Sequence, residues 1–127
     1  MEKGFGPHLM LDLSECDEKK LVDFDFLFSF LDDMPGKVGM SKITTPFIRP
    51  WLDKWAKTPG YSGFVILAES HISFHTFPDS RFVFVDLFSC RDFDVQKTIK
   101  YIVDAFGSKK FEEKIVNRGS LFDGSPK

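Results

Sequence analysis

The chain has 127 residues, a normal length for one domain, and 43% of them are hydrophobic, enough to bury a core. A formal net charge of -2 without any basic cluster argues against a nucleic-acid partner. No apolar run approaches the roughly 20 residues that cross a membrane. The opening Met1-Glu2-Lys3-Gly4-Phe5-Gly6 lacks the apolar stretch of a secretory leader, so a cytoplasmic protein without a membrane partner is expected.

Two cysteines, Cys16 and Cys90, lack the C-x-x-C spacing of a zinc site, and a reducing compartment disfavours a disulfide between them. No metal site is expected. His71 and His75 are four apart, but no H-E-x-x-H pattern accompanies them.

Residues 9–13 alternate as a short strand, with Leu9, Leu11 and Leu13 on one side. Asp17 is a plausible N-cap for a helix that carries Leu21, Phe24, Leu27, Phe28 and Leu31 on one face and ends at Pro35-Gly36. Residues 41–47 read as a second strand. Residues 49–60, with Pro50, Pro59 and Gly60, read as a loop holding Trp51 and Trp55. That loop is open to a role in a pocket or in a subunit interface.

Further strands are expected over 64–68, 71–76 and 81–89, with a turn at Pro78-Asp79-Ser80. Asp94 caps a second helix with Val95, Ile99, Ile102, Val103 and Phe106 on one face, and Gly107 stops it. A last strand is expected over 111–116, followed by a loose tail over 119–127.

The turns between the central strands are too short for crossover helices, so the sheet is mostly antiparallel. The expected fold class is α+β: a two-layer α/β sandwich with two helices packed on one face of the sheet. The other face is left open. With 16 phenylalanines in the chain, a partner subunit is the reasonable cover.

Residues 62–90 concentrate the reactive side chains: Ser62, Glu69, Ser70, His71, Ser73, His75, Asp86 and Cys90. A hydrolase triad would need a nucleophile elbow, and no G-x-S-x-G is present. The run Glu69-Ser70-His71-Ile72-Ser73-Phe74-His75-Thr76-Phe77-Pro78 resembles the self-processing site of the prokaryotic S-adenosylmethionine decarboxylases. Val85-Asp86-Leu87-Phe88-Ser89-Cys90, His8-Leu9-Met10-Leu11-Asp12, Cys16-Asp17 and Ser62-Gly63 extend the resemblance over most of the chain.

The resemblance implies cleavage between Glu69 and Ser70, giving fragments 1–69 and 70–127 of one self-processing domain. Ser70 then becomes a pyruvoyl cofactor. Ser62 and His75 match processing residues, and Cys90 matches the acid that protonates the product carbon. The family also implies a homodimer of processed protomers and S-adenosylmethionine as substrate, with the product feeding spermidine synthesis.

These residue types suit that chemistry. The Ser70 hydroxyl attacks the carbonyl before it and converts an amide into an ester, with proximity already supplied. Ser62 is suited to donate to the developing oxyanion. His75 is suited to remove the α-proton of residue 70, which expels the ester oxygen. Hydrolysis then leaves a ketone and releases ammonia. That ketone is the electron sink for decarboxylation, and a thiol such as Cys90 is a fitting acid for the carbanion.

Phe47 and Phe77 are candidates to stack on an adenine. Ser70 and His75 differ by an odd number, so on one regular strand they face opposite sides. The scissile bond must therefore sit at a bend.

The chain departs from the family pattern at Pro7, Phe77 and Arg91 and in the longer stretch over 49–61. Two alternatives stay open at this level. One is a pyruvoyl-dependent arginine or ornithine decarboxylase; the other is an unprocessed homologue that binds a ligand or partner.

Overall fold

The computed structural model of the chain describes residues 5–51, 54 and 56–123. Strands β1 (Gly6–Ser14), β2 (Phe47–Trp51), β3 (Gly60–Leu67), β4 (Ser70–Phe77), β5 (Phe82–Phe88) and β6 (Lys110–Arg118) form one sheet in the order β2-β3-β4-β5-β1-β6. Every neighbouring pair is antiparallel. Helices α1 (Glu18–Leu21), α2 (Phe24–Lys37) and α3 (Val95–Phe106) complete it. The architecture is the expected α+β sandwich.

Period-2 alternation decides which side chains go inside. Leu9, Leu11 and Leu13 of β1, Ile72 and Phe74 of β4, and Val83, Val85 and Leu87 of β5 are buried in one cluster with helix residues. Leu27, Phe30, Leu31 and Met34 of α2 and Ile99, Ile102 and Phe106 of α3 supply that cluster from the helix layer. Phe30 and Phe106 meet edge-on, with ring centroids 4.9 Å apart. Burying each such side chain stabilises the fold by about 1.5–3 kcal/mol.

The opposite face carries Phe47, Phe64, Phe77 and Phe84, all at least 36% exposed. The three histidines, His8, His71 and His75, share that open face by strand parity.

Several expectations about elements are corrected. The first helix breaks after Leu21, because Asp23 accepts from Phe26 N–H and caps a second helix. Phe24 is consequently exposed rather than facing the core. Pro35 does not end that helix; it sits in the last turn, where Met40 N–H bonds to its carbonyl.

Residues 41–46 are not a strand. They hold only an isolated bridge, Lys42 to Leu67. The Thr44 hydroxyl takes the Ile66 N–H in place of a ladder bond, and Pro46 has no N–H to offer. The second strand instead runs over Phe47–Trp51 at the sheet edge, where Pro50 is tolerated. Trp51 therefore lies on a strand rather than in a loop. Trp55 and the tail from 124 onward lie outside the described residues.

Candidate active site

The β3–β4 hairpin closes at the pair Leu67 and Ser70, which leaves Ala68 and Glu69 as its two-residue loop. Glu69 has φ +62°, a left-handed conformation that costs a non-glycine residue roughly 1–2 kcal/mol. The Glu69–Ser70 peptide bond thus sits where the chain turns into β4, but Ser70 itself is already the first residue of the regular strand.

Ser70 is only 6% exposed. Its Oγ accepts a hydrogen bond from the Cys90 N–H at 2.9 Å. The Cys90 Sγ in turn lies 3.6 Å from the Ala68 carbonyl oxygen. Cys90, just past the end of β5, therefore contacts the residues on both sides of Glu69. A cavity of about 190 Å³ opens beside this bond, lined by Met40, Ser41, Ala68, Glu69, Cys90 and Arg91 among others.

Ser62 and His75 form a second constellation. They are direct partners across the β3–β4 ladder, with Oγ and Nδ1 2.7 Å apart. Both line a larger cavity of about 410 Å³ with Trp51, Thr58, Phe77 and Asp79. The Trp51 indole is fixed by its N–H to the Thr76 carbonyl, 3.0 Å, and by the Phe77 ring at 5.2 Å. The Asp79 carboxylate accepts from Lys57 N–H at 2.7 Å and Thr58 N–H at 3.2 Å. Those bonds, that from Lys57 foremost, hold its carboxyl below the usual value.

The two constellations do not meet within one chain. Ser70 faces the helix layer and His75 the open face. Five residues of strand separate them by roughly 17 Å. The bend precedes Ser70, so it does not carry the hydroxyl toward the imidazole.

Phe77 lines the larger cavity. Phe47 stands outside it, over a neighbouring groove, 5.4 Å from the Phe64 ring. His71 lies 6.3 Å from His8 and 5.8 Å from Phe88, ring to ring. Burial, then the proximity of His8, pushes the His71 pKa down. Cys16 is buried apart from either cavity, and burial pushes its thiol up to about 11.

Sequence reading missed Asp79 and Ser89. Asp79 carried a signal, a Pro-Asp pair in a turn directly after the motif. Ser89 carried only its place beside Cys90.

The sequence model of the S-adenosylmethionine decarboxylase family matches residues 7–119. An S-adenosylmethionine decarboxylase proenzyme of Clostridium botulinum (strain Loch Maree / Type A3) is 29% identical over 120 residues, covering 94% of this chain and 98% of that protein. One of Persephonella marina is 28% identical over 122 residues, covering 95% and 87%. The crystal structure of the adenosylmethionine decarboxylase from Aquifex aeolicus VF5 superposes with a TM-score of 0.80 at 25% identity, covering 98% of this chain and 99% of that one. The chain belongs to the S-adenosylmethionine decarboxylase family.

Proposed function

We propose that the chain is a proenzyme that cleaves itself between Glu69 and Ser70 and then decarboxylates S-adenosylmethionine, supplying the aminopropyl donor for spermidine synthesis. One observation carries this reading: Cys90 touches Ser70 Oγ and the Ala68 carbonyl across a strained two-residue turn. The cleaved fragments are 1–69 and 70–127.

The residues around position 70 fit a pyruvoyl group. The Ser70 hydroxyl, whose oxygen leaves with fragment 1–69, is held by the Cys90 N–H, and the Cys90 thiol stands beside residue 70, against the Ala68 carbonyl. Once formed, the pyruvoyl carbonyl supplies an electron sink for loss of carbon dioxide. The Cys90 thiol is the acid that delivers a proton at the reacting carbon. The Ser62–His75 pair holds and moves the proton of the processing step, with Ser62 fixing the imidazole through Nδ1.

The separation of Ser70 from His75 favours a homodimer whose open sheet faces meet. The exposed phenylalanines of that face then become buried, and the imidazole of a second copy serves the hairpin of the first. The two free thiols fit a reducing cytoplasm.

The aromatic walls of Trp51 and Phe77 beside His75 favour a flat heterocycle over a basic amino acid. Release of labelled carbon dioxide from S-adenosylmethionine, arginine and ornithine tests this. Release from S-adenosylmethionine alone is expected; release from arginine or ornithine instead assigns the substrate to the basic amino acids.

A further inference from the structure

Ser89 is 0% exposed, its hydroxyl both donates and accepts, and both of these bonds are local. Its Oγ donates to the Arg91 carbonyl at 2.6 Å and accepts from the Arg91 N–H at 2.9 Å. A serine that bonds both backbone groups of the residue two ahead closes a tight bend around the residue between them. That residue is Cys90.

The bend is also held from the other side. Ser89 N–H donates to the Pro7 carbonyl at 3.0 Å, which ties it to β1. Gly6 passes so close that a Cβ there would lie 1.9 Å from the Ser89 carbonyl oxygen. β1 and the Ser89 hydroxyl therefore brace the 89–91 backbone from both sides. In this arrangement, the Cys90 N–H points at Ser70 Oγ and the thiol at the Ala68 carbonyl.

We propose that Ser89 is a positioning residue whose hydroxyl locks this bend and aims Cys90 at residue 70. The inference rests on the self-processing reading above for its use in turnover, but the lock itself does not need that reading. Aiming matters because a general acid acts only within hydrogen-bond reach of the atom it protonates. A loosened bend frees the thiol from Ala68, at the wall of the cavity that Cys90 lines.

The test compares Ser89→Ala and Ser89→Thr with the parent protein, each checked for a native circular dichroism spectrum. The first readout is the rate of Cys90 alkylation by iodoacetamide over about pH 6 to 9, followed at the Cys90 peptide by mass spectrometry. Ser89→Ala is expected to raise that rate about fivefold and to shift its pH profile, and Ser89→Thr to restore the parent profile. The second readout is decarboxylation, where Ser89→Ala should lower kcat about tenfold with KM within about twofold.

A folded Ser89→Ala with the parent alkylation profile overturns the lock, even if the parent enzyme is fully active. A shifted profile in Ser89→Ala, with a parent that neither cleaves nor decarboxylates, leaves the lock standing and removes the pyruvoyl reading. Should Ser89→Ala not fold, amide hydrogen exchange in the parent protein takes its place, since the lock makes the Cys90 and Arg91 N–H groups slow to exchange. Exchange of both at the rate of an open loop overturns the proposal.

Discussion

Ser62 and His75 face each other across the β3–β4 ladder, Oγ to Nδ1 at 2.7 Å, on the side of the sheet away from Ser70. An imidazole held through Nδ1 presents Nε2 outward, toward whatever covers the open face. His75→Ala should therefore fold but lose self-cleavage by about 100-fold or more. Mixing it with Ser70→Ala separates a shared site from an internal one. If a second copy supplies the imidazole, the His75→Ala chain is cleaved in the mixed dimer. Fragments absent from the mixture, but formed by wild-type chains, would assign the base to the same chain.

Cys90→Ala keeps the backbone N–H that reaches Ser70 Oγ and removes only the thiol. Cleavage should then proceed while turnover falls by about 100-fold or more. Fragment yield by gel and carbon dioxide release check the two steps separately. Turnover at the parent rate would remove Cys90 from the acid's role.

Thr76 is fully buried on β4, next to His75. Its hydroxyl donates to the Leu21 carbonyl at 3.0 Å and accepts from the Tyr61 N–H at 2.9 Å, joining α1, β3 and β4. Thr76→Val keeps the shape but takes the partner from the buried Leu21 carbonyl and the half-buried Tyr61 N–H. A loss of about 2–4 kcal/mol is expected in urea unfolding. A loss below about 0.5 kcal/mol would mean that the partners find other bonds.

Buried Cys16 and half-buried His71 set opposite limits on pH stability. The folded Cys16 thiol sits at about 11 against an ordinary 9.0, so the folded state keeps a proton that the unfolded chain releases. Its contribution is complete below 9.0 and is lost as pH rises through the folded value. His71 is pushed below 6.5, so the unfolded chain takes up a proton first as pH falls through 6.5. Stability should decline on that acid side. Urea midpoints across pH check both; Cys16→Ala should flatten the alkaline decline and His71→Gln the acid one.

Much of the fold was legible because its signals were local. Leu9, Leu11 and Leu13 alternate, and Asp94 and Gly107 bracket α3 as N-cap and left-handed stop. The misread stretch, 41–51, failed for a tertiary reason: the Thr44 side chain replaces a ladder bond that sequence alone would assign to backbone. The motif singled out Ser70, His75, Ser62 and Cys90 as candidates, and parity foretold that Ser70 and His75 face apart on a regular strand. Parity gave no sign that they stay apart in the folded chain. The Ser89 bend was hidden because both of its bonds go to Arg91 backbone atoms, which no side-chain pattern reveals.

Intact-mass spectrometry of the purified protein tests the central claim most directly. Fragments 1–69 and 70–127 are expected, the second blocked at its N-terminus and reactive toward carbonyl reagents, with Ser70→Ala remaining whole. A single 14.6 kDa species after long incubation of the parent protein would contradict self-cleavage at Glu69–Ser70.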